Sequence, residues 1–145
     1  MNHTEIAWDC GSGNGQAAVN LAEIFNKVFA TDASAKQIEH AIIHKNVSYS
    51  VQPSENTNFH DSSFDCVTVA QAIHWFDLKK FYNEVNRVLK PGGLLCVWGY
   101  TWFKISDDID EIVEKTLITS LKDYWAPQTK LLQDGFKDLV LPYKQ

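Results

Sequence analysis

Apolar runs alternate along the chain with stretches whose apolar residues recur at helical spacing. Ile6 to Asp9 is a short apolar run that ends at once in Gly11-Ser12-Gly13-Asn14-Gly15. In Gln16 to Asn26 the residues Ala17, Ala18, Leu21, Ala22 and Phe25 share one stripe, which predicts an amphipathic helix. Lys27 to Thr31 reads as a second strand, and Asp32-Ala33-Ser34 turns into a second helix that runs to about Ile43. Val47 to Val51 reads as a third strand, with Pro53 barring a helix just after it and a polar loop through Ser63. Phe64 to Ala70 is apolar on both faces except for Asp65 and Thr68, as a buried central strand is. Leu78, Phe81, Tyr82, Val85, Val88 and Leu89 predict a helix that Lys90-Pro91-Gly92-Gly93 stops, and Leu94 to Trp98 a fifth strand. Ile109, Ile112, Val113, Thr116, Leu117 and Leu121 predict a further helix. The pattern weakens from Trp125 onward, interrupted by Pro127, Gly135 and Pro142.

Strands separated by helices predict an α/β fold with a doubly wound, mostly parallel sheet. A length of 145 residues fits one domain, with residues 1–104 as its core and residues 105–145 as a helical C-terminal part of the same domain. Ligands of such sheets bind outside the carboxyl ends of the strands. The informative residues are therefore those just after each strand.

Composition narrows the chemistry. A formal net charge of -5 with one arginine, Arg87, argues against a broad basic face for nucleic acid. No stretch approaches the roughly 20 apolar residues of a membrane span, and the first residues lack the pattern of a signal peptide. Cys10, Cys66 and Cys96 are widely spaced within apolar runs, which predicts small core residues of a cytoplasmic protein, neither a disulfide framework nor a metal site.

The glycine loop stands between a strand and a helix, where glycine permits a tight turn and a close approach of backbone to ligand. It does not match GxGxxG, because Gly15 falls one residue early and Gln16 stands where Gly or Ala is needed. No Gly-Lys-Ser/Thr follows, which excludes a phosphate loop. An ionised Asp9 at the strand end suits a cationic ligand better than a pyrophosphate. Asp32, about 20 residues on, is placed to accept both hydroxyls of a ribose; the plainer role is a cap on the helix that starts near Ser34.

Asp9-Cys10-Gly11-Ser12-Gly13-Asn14-Gly15 followed by Asp32 resembles the class I S-adenosylmethionine-dependent methyltransferases, which implies a Rossmann-like methyltransferase core. The stretch from Asp65 to Asp77 and Val88-Leu89-Lys90-Pro91-Gly92-Gly93-Leu94-Leu95 are similar to that superfamily's fourth-strand and post-helix motifs. Ala70-Gln71-Ala72-Ile73-His74-Trp75-Phe76 with Val97-Trp98-Gly99-Tyr100 looks most like the trans-aconitate methyltransferase-like branch, in its plant-type form. The resemblance implies that Asp9, Gly11, Gly13 and Gly15 hold the methionine end of S-adenosylmethionine and Asp32 its ribose. It places Ala33 beside the adenine, Ser54 and Glu55 at the adenine amino group, and Gln71 and Ala72 along the methionine and transferred methyl. It also implies a helical segment before the first strand and further strands after the last, so that this chain is expected to be short at both ends and to lack terminal strands.

His74, Trp75 and Phe76 follow the fourth strand on the same edge. His74 is the candidate to orient an acceptor, against the plainer reading of a hydrogen-bonded structural histidine. Trp75 and Trp102 are candidates to line the acceptor's site, and Trp102 with Phe103 fits a helix-docking role equally well. A carboxylate acceptor is already ionised at pH 7 and needs no strong base. It wants a cationic clamp, yet Arg87 falls at the far end of its helix, and Lys79, Lys80 and Lys104 read as solvated.

The leading expectation is thus a methyltransferase for a small molecule, with a carboxylate O-methyltransferase as one form. A catalytically weak cofactor-binding or interaction module is the alternative, and a nicotinamide-dependent dehydrogenase a remote one.

Overall fold

The computed structural model describes residues 5–101 and 104–142. It divides into two units, Met1–Gly99 and Tyr100–Gln145. The first unit is built on five strands: β1 Ile6–Cys10, β2 Lys27–Asp32, β3 Val47–Val51, β4 Phe64–Ala70 and β5 Leu89–Trp98. All pair in parallel in the order β3-β2-β1-β4-β5, with the order reversing beside β1. The helices are α1 Gln16–Leu21, α2 Ala35–Glu39 and α3 Leu78–Val88.

Each face of the sheet buries one set of alternating side chains. On one face Ala7, Val28, Ala30, Val47 and Cys66 pack with Ala18, Ala22 and Phe25 of the stripe expected for the first helix. On the other, Trp8 meets Phe59, Phe64 and Phe81 with ring centroids 5.7, 6.1 and 6.5 Å apart. Burying the Trp8 indole strands a donor, which Thr31 Oγ1 accepts at 2.8 Å.

Three expected boundaries in the first unit differ by more than one residue. The regular part of α1 stops at Leu21, where the last turn tightens into bonds from Glu23 to Asn20 and Ile24 to Leu21; Ala22 and Phe25 still reach the core. Helix α2 stops at Glu39 because the Ile42 N–H is drawn away to the Asn14 carbonyl at 2.9 Å. Strand β5 starts at Leu89 rather than Leu94: Leu89 pairs with Phe64, then the register shifts so that Leu94 pairs with Cys66. Lys90-Pro91-Gly92-Gly93 is therefore a bulge inside a strand. Proline is tolerated there because the bulge interrupts the ladder and, among the described residues, β5 has no outer neighbour to donate to, and Gly92 supplies a φ of +79°.

The loop of residues 53–63 is fixed from below by α3. Glu84 accepts the Thr57 N–H and hydroxyl at 2.7 and 2.6 Å, and Arg87 clasps both Glu84 oxygens, Asp61 Oδ1 and the Phe59 carbonyl. Burial alone would raise the Glu84 carboxyl, but the Arg87 and Thr57 hydrogen bonds outweigh it and hold it below the usual range. Lys90 pairs similarly with buried Asp65 at 2.9 Å.

The second unit starts its helix at Asp107–Val113, with Asp107, Asp108 and Asp110 in the first turn, where negative charge suits the helix dipole. The stripe of Ile109, Ile112 and Leu117 stays exposed, and the helix passes through a π turn at Glu114–Ile118 into Thr119–Leu121. Lys130–Gln133 forms a last short helix. No helix among the described residues is long and apolar enough to cross a membrane.

Candidate functional site

The carboxyl ends of β1, β2, β3 and β4 converge on a cleft of about 260 Å³ lined by Gly11, Asp32, Ala33, Ser34, Gln52, Ser54, Glu55, Ala72, Trp75 and Phe76. The glycine loop contributes Gly11 to it. Thr31, the penultimate residue of β2, accepts the Gly11 and Ser12 N–H groups at 2.8 and 2.9 Å, which folds the loop back over the sheet.

Asp32 closes β2 and does not cap α2, whose N-cap is Ser34 with no side-chain cap bond. Its Oδ2 accepts the Gly13 N–H at 2.9 Å and its Oδ1 the Ser34 N–H at 2.8 Å. Two bonds leave lone pairs on both oxygens for further donors, since a carboxylate offers about four such sites. Bracing the two turns through Gly13 and Ser34 is compatible with a ligand role.

The glycines differ in what they spare. A Cβ on Gly11 would lie 2.6 Å from Ala72 Cβ, so Gly11 brings the β1 and β4 loops together. A Cβ on Gly15 would lie 2.1 Å from the Tyr49 hydroxyl. At Gly13, with φ +56°, the nearest atom is Gln37 Oε1 at 3.8 Å, an ordinary contact, so only its backbone conformation calls for glycine.

Asp9 is fully buried beneath the loop and does not line the cleft. Thr68 donates to its Oδ1 at 3.0 Å, while Oδ2 has no partner. Burial pushes this carboxyl up to about 6, against the Thr68 and Ala18 hydrogen bonds that lower it.

At the end of β4, Gln71 takes a positive φ of +57° and its N–H donates to the Trp98 carbonyl at 3.0 Å. His74 lies in a short 3-10 turn, Ile73–Trp75, buried against the Trp75 ring at 4.8 Å, and its Nδ1 has no partner. Burial lowers its pKa, which keeps the imidazole neutral at pH 7. Trp75 is exposed at the rim. Glu55 accepts the Asp77 N–H at 2.9 Å and so ties the β3 loop to the start of α3.

Of the expected residues, Gly11, Asp32, Ala33, Ser54, Glu55, Ala72 and Trp75 meet in the cleft. Asp9, Gly13, Gly15, Gln71 and His74 lie in the surrounding loops and strand ends, and Trp102 lies outside the described residues. Arg87 is engaged under the loop of residues 53–63, and Lys80 pairs with Asp77 at 3.0 Å. Gln52, Ser34 and Phe76 were not expected in the lining. Gln52 follows β3 directly, so the strand-end rule alone would have found it; its N–H donates to the Asp32 carbonyl at 3.1 Å.

Comparison with known proteins agrees with this geometry. The methyltransferase-domain family matches residues 8–97. A Dictyostelium discoideum protein described as a methyltransferase is 41% identical over 138 residues, which cover 93% of this chain and 52% of that protein. A Saccharomyces cerevisiae protein described as an S-adenosylmethionine-dependent methyltransferase is 25% identical over 143 residues, covering 93% of this chain and 48% of its own length. This chain thus spans about half the length of these curated relatives. Among solved structures, a type II methyltransferase from Anaeromyxobacter dehalogenans superposes with a TM-score of 0.83 at 36% identity, over 97% of this chain and 60% of that one.

Proposed function

We propose, on the premise that the chain belongs to the family of methyltransferase domains, that the cleft binds S-adenosylmethionine and that the whole protein methylates a small molecule. The observation that supports the cofactor is the charge of the cleft. Its lining includes two carboxylates, Asp32 and Glu55, and no Lys or Arg. A pyrophosphate would be repelled there, whereas a ligand with a free ribose, cationic groups and no phosphate is favoured. That disfavours a nicotinamide dinucleotide.

In this reading S-adenosylmethionine, when bound, supplies a methyl group activated by a positively charged sulfonium. Asp32 accepts the ribose hydroxyls with the lone pairs that Gly13 and Ser34 leave. Ala33, Ser54 and Glu55 border the adenine. Gly11, Gly13 and Gly15 give the loop its approach to the methionine end, with Gln71 and Ala72 along its other side. Asp9 acts from below, through its field rather than by contact. The acceptor rests against Trp75, oriented by neutral His74. An ionised carboxylate oxygen needs no base, so the residues' task is alignment and exclusion of water. The segment from Ala70 to Phe76 supports placing the chain in the trans-aconitate methyltransferase-like branch, with a carboxylate acceptor.

Calorimetric binding of S-adenosylmethionine, repeated with Asp32→Ala, tests the reading. Tight binding of NAD with none of S-adenosylmethionine would overturn it. A screen of labelled methyl transfer across carboxylic acids tests the acceptor, since a base-labile product marks an ester.

A further inference from the structure

Strand register places Tyr49, Ala30, Asp9, Thr68 and Cys96 in one row across the sheet. The row lies on the face that carries α1. Between Tyr49 and Asp9 stands only the methyl of Ala30. Tyr49 packs against that core cluster and reaches the glycine loop, where its hydroxyl occupies the space a Gly15 side chain would need. The same hydroxyl donates to the Ile42 carbonyl at 2.8 Å. The Ile42 N–H in turn donates to the Asn14 carbonyl at 2.9 Å. The ring, the α2–β3 connection and the loop thus form a closed circuit around Asn14 and Gly15. Asp32 fixes the neighbouring Gly13 from the other side.

We infer that Tyr49 is a positioning residue, holding the glycine loop through Gly15 and the Ile42–Asn14 bond in the shape that receives the cofactor. The inference rests on the cofactor reading above for its ligand, but the brace itself is a property of the free protein. A tyrosine that merely packs would affect global stability alone. One that positions the loop would alter loop opening and cofactor affinity while leaving the chemical step untouched.

Tyr49→Phe keeps the ring on Gly15 and removes the bond to Ile42. The loss of one hydrogen bond is expected to speed hydrogen exchange at the Gly13 and Gly15 amides of the ligand-free protein about fivefold. It should raise the Kd for S-adenosylmethionine by about the same factor, with kcat at saturating cofactor unchanged. Ser63→Ala, which loses a bond of 2.7 Å to the His60 carbonyl at the other end of the sheet, should change neither. Exchange that quickens uniformly across the sheet, or a Kd equal to that of the wild type, would overturn the inference. If the wild type binds no S-adenosylmethionine, the cofactor reading falls alone, and exchange at the two glycine amides still decides the brace.

Discussion

Asp32 and Gly13 are joined by a hydrogen bond of 2.9 Å that spans the turns after β2 and β1, so the residue proposed to take a ribose also shapes the loop beside it. Replacing it removes two functions at once. Asp32→Ala should weaken S-adenosylmethionine binding about 100-fold or more, as expected for two charge-assisted bonds to ribose hydroxyls, and lower stability by about 1 kcal/mol. Titration calorimetry and urea unfolding measure the two effects; an unchanged affinity would remove Asp32 from the site.

Two glycines with positive φ separate conformational cost from collision. Gly92 has φ +79° and open space around it, so Gly92→Ala should cost only the left-handed penalty of about 1 kcal/mol. Gly15, at φ +91°, also meets the Tyr49 hydroxyl, and Gly15→Ala should cost about 3 kcal/mol. Similar urea midpoints for the two variants would show that Tyr49 yields freely.

Asp9 binds its proton more tightly in the folded chain than in the unfolded one, with its pKa raised from 3.8 to about 6. The stability it contributes is therefore full below the lower value and is lost as pH rises through the upper one, a difference of about 3 kcal/mol. Cys10 and Tyr49, its titratable neighbours, are both pushed upward and stay neutral through that window. Asp9→Asn should flatten this component between pH 4 and pH 6, whatever its absolute stability. An unaltered slope of unfolding free energy against pH would place the titration elsewhere.

Arg87 serves the loop of residues 53–63 rather than a substrate. Arg87→Ala leaves the buried Glu84 carboxylate without its main partner and should cost about 3 kcal/mol. Arg87→Lys should recover less than half, because an ammonium cannot span both Glu84 oxygens, Asp61 and the Phe59 carbonyl together. Full recovery by lysine, measured by urea unfolding, would reduce the role to plain charge.

The parallel sheet was legible because its strands are apolar runs set between helical stripes, and Asp32 and the glycine loop because ligand sites follow strand ends. Leu89 to Gly93 misled for a physical reason. Pro and Gly stop helices, yet an edge strand accepts both once its register slips, and that slip depends on Phe64 and Cys66 of the neighbouring strand. Tyr49 was invisible as a site residue because an aromatic in an alternating strand reads as packing. Arg87 is legible only as lying far from the site, since nothing local announces that Thr57 and Asp61 will close over Glu84 and Arg87.

Ala30 gives the row across the sheet its last consequence. Ala30 is the register neighbour of Tyr49 and shares its core cluster, so its small side chain adds the least bulk beside the Tyr49 ring. The inferred brace of the glycine loop thus draws on two other strands, through Ala30 on β2 and Tyr49 on β3.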